Sequence, residues 1–241
     1  MATSPNFHRR ISDRPLYLMA AVLIPLIVLA GFARTYFLKG FFATPPLPSF
    51  IVHVHGIVMT AWVALFIVQV TLVAKRRTKI HQRLGILGAI LAALVVVVGI
   101  LTALYAAARG ATPGPPPLVF LIVPLGDMLV FGILVGAALY YRKRLDIHKR
   151  LMLLAAAAML PPAIARIPLS VITDNGPLAF FGLTDLCIIG FVVFDTVRHR
   201  RLHPAFLWGS LLFILLQPLR LLVAGSDAWT SFAAALVRLV Q

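Results

Sequence analysis

The sequence predicts an all-α integral membrane protein with seven transmembrane helices, and two observations support that prediction. Hydrophobic residues make up 61% of the 241 residues, whereas charged residues make up only 12%. The apolar residues also fall into runs of about 20 residues, long enough to cross a hydrocarbon layer of roughly 30 Å as a helix. These features exclude the soluble fold classes. The predicted spans are residues 17–37, 50–74, 84–107, 118–141, 151–171, 178–197 and 204–224.

The positions of the basic residues predict how these spans are oriented. Of the 22 Lys and Arg residues, 16 lie in the N-terminal segment and in the turns after the second, fourth and sixth spans. Short loops rich in Lys and Arg stay in the cytoplasm, so we expect the N-terminus there and the C-terminus outside. The formal net charge of +15 is thus a sign of membrane topology, and no nucleic-acid partner is expected.

The two ends of the chain are predicted to lie outside the spans. Residues 1–16 form a cytoplasmic segment, residues 17–224 the seven-helix domain, and residues 225–241 an interfacial helix on the outer side. That last helix has a plausible N-cap at Ser226 and is too short to span. The first run could instead be a cleaved signal peptide, although its length and the six similar runs favour a span.

A repeated phrase marks the predicted cytoplasmic turns. "IHQRLG" at 80–85 and "IHKRLM" at 147–152 each follow a basic cluster and precede an apolar span, and "RHRRLHPAFLWG" at 198–209 is a looser version. The three turns bring His81, His148 and His203 to the starts of outgoing helices. We interpret this as partial duplication of a helical hairpin.

The repeated histidines have two interpretations. Three imidazoles at one membrane level could bind a transition metal ion, and two could be the axial ligands of a b-type haem. Alternatively, His-x-Arg-Leu is an interfacial pattern that meets lipid phosphates beside a helix start. The sequence alone leaves both open.

A second polar layer is predicted in the outer half of the membrane, where charged residues are costly and usually face the bundle interior. Asp127 and Asp185 could form packing ion pairs with two of the arginines. The layer could also hold an anionic group or a quinone-like carbonyl. Its members are His53, His55, Arg34, Asp127, Arg166, Asp185 and Arg220.

Two details refine this outer layer. Histidines two residues apart on a helix point about 200° apart, and His55 is expected to face the interior with Trp62 and Phe66. The pair Pro161–Pro162 is expected to break the fifth span and to open it onto the same pocket.

Several function classes are excluded by missing residues. Every lysine lies at or outside a membrane edge, so a retinal Schiff base is excluded. The chain has no P-loop, no Gly-x-Ser-x-Gly elbow and no His-Glu-x-x-His motif. Its single cysteine, Cys187, excludes a disulfide framework and a Cys-based metal motif.

Six motifs together resemble a family of uncharacterised bacterial polytopic membrane proteins with a domain of unknown function. The resemblance covers most of the chain and implies an inner-membrane location and about seven spans, without an established activity. The motifs are "GFARTYF", "HVHGIVMTAW", "IHQRLG", "DIHKRLMLL", "PPAIARIP" and "HPAFLWG".

The use of histidines on antiparallel hairpins is more distantly similar to di-haem transmembrane b-type cytochromes. That family has two facing histidine pairs at two depths, whereas here the inner histidines lie at helix starts and the outer layer has no second histidine helix.

The leading hypothesis is an inner-membrane bundle that binds a redox cofactor, a metal ion or a quinone-like ligand and takes part in electron transfer. The alternatives are a proton-coupled transporter that uses Asp127 and Asp185, and an accessory subunit with a membrane-protein partner.

Overall fold

The computed structural model describes residues 13–241, and all regular structure in this part of the chain is helical. The helices are α1 (Arg14–Phe32) with a π-helical continuation (Ala33–Phe37), α2 (Phe50–Ala74), α3 (Thr78–Ala108), α4 (Pro117–Phe120), α5 (Ile122–Tyr140), α6 (Leu145–Ala157), α7 (Pro161–Ile164), α8 (Ser170–Thr173), α9 (Gly176–His199), α10 (Pro204–Val223) and α11 (Asp227–Arg238).

Seven helical segments are long and apolar enough to cross a membrane, as the sequence predicts. The third segment begins six residues before its predicted start, the fifth differs at both ends, and the other five lie within about three residues of their predicted bounds. The segments are Arg14–Phe37, Phe50–Ala74, Thr78–Ala108, Pro117–Tyr140, Leu145–Ile164, Gly176–His199 and Pro204–Val223. Residues 1–12, most of the predicted cytoplasmic segment, lie outside the described residues.

The fifth span differs from its prediction at 151–171. It begins six residues earlier, at Leu145, and its regular helix ends at Ala157, before the short α7 that starts at Pro161. A proline has no N–H group and disfavours helical geometry in the residue before it. The adjacent prolines therefore divide the span, and the bend that the sequence predicts is a break between two helices.

The starts of α1, α3, α6 and α10 lie on one side of the bundle. At this basic side the Lys149 ammonium contacts Asp13, and the His148 Nδ1–H group donates to the Ala138 carbonyl. The opposite, proline-rich side holds the loops before α2 and α4, where Arg109 Nη1 donates to the Pro48 carbonyl over 3.1 Å. Neighbouring long helices are therefore antiparallel.

The centre of the bundle is α6, whose Leu153, Leu154 and Ala157 side chains are fully buried. Small residues allow close helix contacts there, as is typical of packing in membranes. A Cβ atom at Gly209 of α10 would lie 2.4 Å from a methyl carbon of Leu154. Helices α2 and α3, in contrast, have few buried residues for their length.

The C-terminal helix α11 packs across the proline-rich side. The Ser226 hydroxyl caps it by accepting a hydrogen bond from the Trp229 N–H group at 3.2 Å. The Trp229 indole in turn donates to the Leu118 carbonyl at 2.8 Å, and Ala233 is fully buried. The helix begins at the predicted cap and is anchored to α3 and α4.

Candidate functional site

His81 and His148 occupy equivalent positions in the first turns of α3 and α6. Each is the fourth residue of its helix, and each backbone N–H group donates to the carbonyl of the arginine before the helix. These bonds are 3.1 Å long to Arg77 and 2.9 Å long to Arg144. The repeated phrase therefore produces the same local geometry in both helices.

The structure brings these two imidazoles together. Their ring centroids are 6.4 Å apart and their planes are inclined by 75°. The His148 Nδ1 atom lies 2.8 Å from the Ala138 carbonyl oxygen. Since a carbonyl only accepts, Nδ1 carries the hydrogen and Nε2 keeps its lone pair.

Two buried polar atoms at this pair have no hydrogen-bond partner among residues 13–241. They are His81 Nδ1 and Gln69 Oε1, although Gln69 Nε2 donates to the His81 carbonyl at 3.3 Å. Buried polar atoms are usually satisfied, and exceptions often mark a place where an ion or ligand binds. The His81, His148 and Gln69 side chains together are named the histidine site.

The separation of the two rings is compatible with a shared ion. Two imidazoles that bind one ion from opposite sides, with metal–nitrogen distances of about 2 Å, have ring centres roughly 6 Å apart. The observed 6.4 Å is close to that value. The fixed tautomer of His148 matches the way in which second-shell carbonyls orient ligand histidines.

His203 is placed differently from the other two repeated histidines. Pro204 is the first residue of α10, so His203 is the N-cap, and its Nδ1 atom accepts from the Ala205 N–H group at 3.1 Å. Its Nε2–H group faces Asp146 Oδ2 at 3.2 Å. Burial lowers the pKa of His203, and the hydrogen bond to Asp146 opposes this shift. The three histidines therefore do not form one cluster.

Within residues 13–241, the one group of three side chains close enough to share an ion is Asp13, Asp195 and His199. Both carboxylates already have cations. Arg150 binds Asp195 through two bonds of 2.9 and 2.8 Å, and Lys149 contacts Asp13. Both ring nitrogens of His199 face oxygen acceptors. Since a metal ion would be repelled by two neighbouring cations, we interpret this group as an ion-pair network.

A pocket of about 140 Å³ opens beside this network on the basic side. Four of its six lining residues are engaged as donors, because Arg150 and His203 contact Asp146, and Lys149 and His199 contact Asp13. The Arg150 Nη1–H group, for example, donates to the Asp146 carbonyl at 2.9 Å. The pocket therefore offers few free donors to a ligand.

The polar layer predicted for the outer half divides into two groups, and the first lies between α5, α9 and α10. Arg220 Nη1 donates to Asp127 Oδ1 at 2.7 Å and to the Val123 carbonyl at 3.0 Å. Asp185 accepts from Gln217 Nε2 at 2.9 Å. Asp127 and Arg220 thus form the buried packing pair that the sequence leaves open, whereas Asp185 is paired with a neutral amide.

The second group includes the two histidines of α2. His53 is exposed, whereas the Nδ1 atom of His55 is buried and has no hydrogen-bond partner in the described part of the chain. Trp62 and Phe66, further along α2, are also buried. The two histidines face different sides of the helix, as their spacing predicts.

Two arginines complete the second group. The Arg166 Nη1–H group donates to the Pro162 carbonyl at 2.7 Å, and its guanidinium lies 4.9 Å from the centre of the Phe32 ring. The Arg34 guanidinium lies 5.4 Å from the centre of the Phe42 ring. Neither arginine forms an ion pair within residues 13–241.

Two glutamines within the spans also belong to these polar groups, although the sequence analysis does not single them out. Gln69 belongs to the histidine site, and Gln217 is the partner of Asp185. An uncharged amide inside an apolar run also needs a partner. That cost is the signal that could have identified both residues.

Comparison of the chain with family models, with curated proteins and with solved structures gave no match. The functional interpretation therefore depends on the geometry described above.

Proposed function

We propose that the protein is an electron-transfer protein of the bacterial inner membrane that binds a metal ion or a haem iron between His81 and His148. The observation that carries the proposal is the neighbouring pair of imidazoles from two different helices, with ring centroids 6.4 Å apart. In this proposal the basic side faces the cytoplasm, because short loops rich in Lys and Arg are retained there. Membership of the bacterial family named above is part of the same proposal.

The hydrogen bonding of the pair supports this role. The Ala138 carbonyl holds His148 with Nε2 available, and His81 Nδ1 is buried without a partner. Leaving such an atom unsatisfied costs about 1–3 kcal/mol. A bound ion would supply the missing interaction.

A bis-histidine site favours electron transfer over catalysis at the ion. His81 and His148 would each hold the iron through one ring nitrogen, and the iron would supply one-electron chemistry. Gln69 then serves to hold the first turn of α3 through the His81 carbonyl. In this proposal, the redox centre is positioned and oriented by the residues of the histidine site.

The test is the visible spectrum of the protein purified in mild detergent, oxidised and then reduced with dithionite, with metal analysis of the same sample. We expect either a Soret band with sharpened reduced α and β bands or a stoichiometric metal. His81→Ala and His148→Ala should each remove the signal. His203→Ala and His53→Ala are matched controls that should retain it.

Two results would overturn the proposal. One is a flat spectrum together with the absence of metal in the wild-type protein. The other is a haem or metal content in His81→Ala and His148→Ala equal to that of the two controls.

A proton-coupled carrier is a second candidate, and a specific observation favours it. Asp185 lies within a span and is paired with neutral Gln217, so it can change protonation without breaking an ion pair. The break between α6 and α7 also resembles the discontinuous helices of carriers. A colourless protein whose pH-dependent uptake is lost in Asp185→Asn would select this candidate.

A further inference from the structure

On the proline-rich side, one buried histidine lacks a hydrogen-bond partner and one arginine lacks an ion-pair partner among the described residues. The His55 Nδ1 atom is buried and unpaired, and Arg166 forms no ion pair within residues 13–241. The two carboxylates inside the spans of this half are already engaged, Asp127 by Arg220 and Asp185 by a glutamine. A cation at the edge of an apolar layer is therefore left without a counter-charge.

Close backbone contacts bring the helices that carry these groups together. A Cβ atom at Gly31, near the end of α1, would lie 2.0 Å from the Ala163 carbonyl oxygen of α7. A Cβ atom at Gly56 in α2 would lie 2.3 Å from the Tyr36 ring, in the π-helical continuation of α1. The end of α1 therefore packs tightly against both α7 and the start of α2.

The Arg166 guanidinium is held in this junction. One side-chain N–H group donates to the Pro162 carbonyl, whose helical partner, the Arg166 backbone N–H group, donates to the Ala163 carbonyl instead. The Phe32 ring also contacts the guanidinium. The guanidinium also lies close enough to interact electrostatically with His55. Its orientation is therefore set before any ligand arrives.

The remaining donors suit an anion. Arginine has five N–H donors in a planar fork that matches two oxygens of a phosphate or carboxylate, and only one donor is used by the protein. His55 adds one ring nitrogen. An anionic ligand would neutralise the charge of Arg166, which a neutral ligand would not.

The position of the site indicates where such an anion comes from. Arg166 is exposed at the protein surface, just beyond the end of the fifth span, and the exposed apolar side chains Leu169 and Val171 follow it. Arg166 therefore lies beside the apolar layer, at the level where lipid head groups lie.

We infer that His55 and Arg166 form a binding site for a phosphate group, supplied by an anionic lipid on the proline-rich side of the membrane. The site is separate from the histidine site on the basic side and does not depend on the proposed electron transfer.

The experiment is a thermal-shift titration of the full-length protein, delipidated in a non-ionic detergent. The probes are dioctanoyl phosphatidylglycerol, inorganic phosphate and, as a tail-only control, dioctanoylglycerol. We expect a saturable stabilisation by phosphatidylglycerol and none by dioctanoylglycerol. Saturable stabilisation by inorganic phosphate alone would retain the oxyanion site but assign it to a free anion. Stabilisation by neither phosphate probe would overturn the inference.

Variants test whether the named residues form the site. His55→Ala and Arg166→Gln should each weaken phosphatidylglycerol binding at least tenfold, whereas His53→Ala, the exposed neighbour, should bind like wild type. Arg166→Lys keeps the positive charge but not the planar guanidinium, so its affinity for phosphatidylglycerol should lie between those of the wild type and Arg166→Gln. It replaces Arg166→Gln in the test if that variant does not fold. Equal affinities in His55→Ala, His53→Ala and the Arg166 variants would overturn the inference. Metal or haem content should be unchanged in all of them.

Discussion

Replacing Asp195 with asparagine should cause a large loss of stability, and the structure gives its scale. Arg150 binds Asp195 through two bonds of 2.9 and 2.8 Å, and the two side chains are only 4% and 1% exposed. The asparagine would leave the guanidinium buried without a counter-charge, which costs about 3–5 kcal/mol. The Asp146 carbonyl and the Phe206 ring still contact Arg150, so we expect the lower part of that range.

The assay is thermal unfolding in mild detergent, followed by tryptophan fluorescence. For a chain of this size, each kcal/mol corresponds to about 2–4 °C, so a loss of about 3 kcal/mol predicts a fall in Tm of roughly 6–12 °C. Asp174→Asn is the matched control, because the carboxylate of Asp174 is exposed and accepts a bond only from its neighbour Thr173.

A double variant separates the lost charge pair from other effects of the substitution. Arg150→Met with Asp195→Leu removes both charges, and it should be more stable than Asp195→Asn alone, since no charge is left unpaired. The reasoning would be refuted if Asp195→Asn and Asp174→Asn unfolded within about 2 °C of each other.

Three further outcomes are expected. Gly31→Val should prevent folding because its Cβ would overlap the Ala163 carbonyl, whereas Gly136→Val, which has open space, should give a monodisperse peak in size-exclusion chromatography. Trp229→Phe loses one hydrogen bond and should cost about 1 kcal/mol in thermal unfolding; an unchanged Tm would contradict this. Burial lowers the pKa of His203 in the folded protein, so this histidine binds a proton more readily in the unfolded chain than in the folded one. The free energy of unfolding therefore falls as the pH drops below about 6.5. His203→Asn keeps a helix cap and should reduce the Tm difference between pH 7.5 and pH 5.5; an equal difference would contradict the linkage.

The number of spans could be predicted because a long apolar run has few alternatives to a membrane helix. The start of the fifth span could not, because its first turns contain Asp146, Lys149 and Arg150. A hydropathy criterion assigns such residues to a loop. They are helical here because Asp195 and Asp13 neutralise the two cations, and that pairing depends on α1 and α9, which are distant in the sequence.

The histidine pair could be anticipated from the repeated phrase, since equal spacing from a basic turn gives equal positions in two helices. His203 shows the limit of that reasoning. Its phrase looks related, but Pro204 starts α10 directly after it and turns the histidine into a cap. The choice of Arg220, and not Arg166, as the partner of Asp127 depends on how α5 and α10 are rotated, which no local pattern specifies.

The two proposed sites lie at opposite ends of the hairpin that α2 and α3 form, and each contains an unpaired imidazole nitrogen. His55 lies in α2 near the proline-rich side and His81 in the first turn of α3 on the basic side, and both have a buried Nδ1 atom without a partner. The histidines His148, His199 and His203, in contrast, all have hydrogen-bond partners. An orphan imidazole is therefore not a general feature of this packing. It occurs in both places beside a second group with unused hydrogen-bonding capacity, the remaining N–H donors of Arg166 in one and Gln69 Oε1 in the other. A ligand at each site would satisfy both members at once.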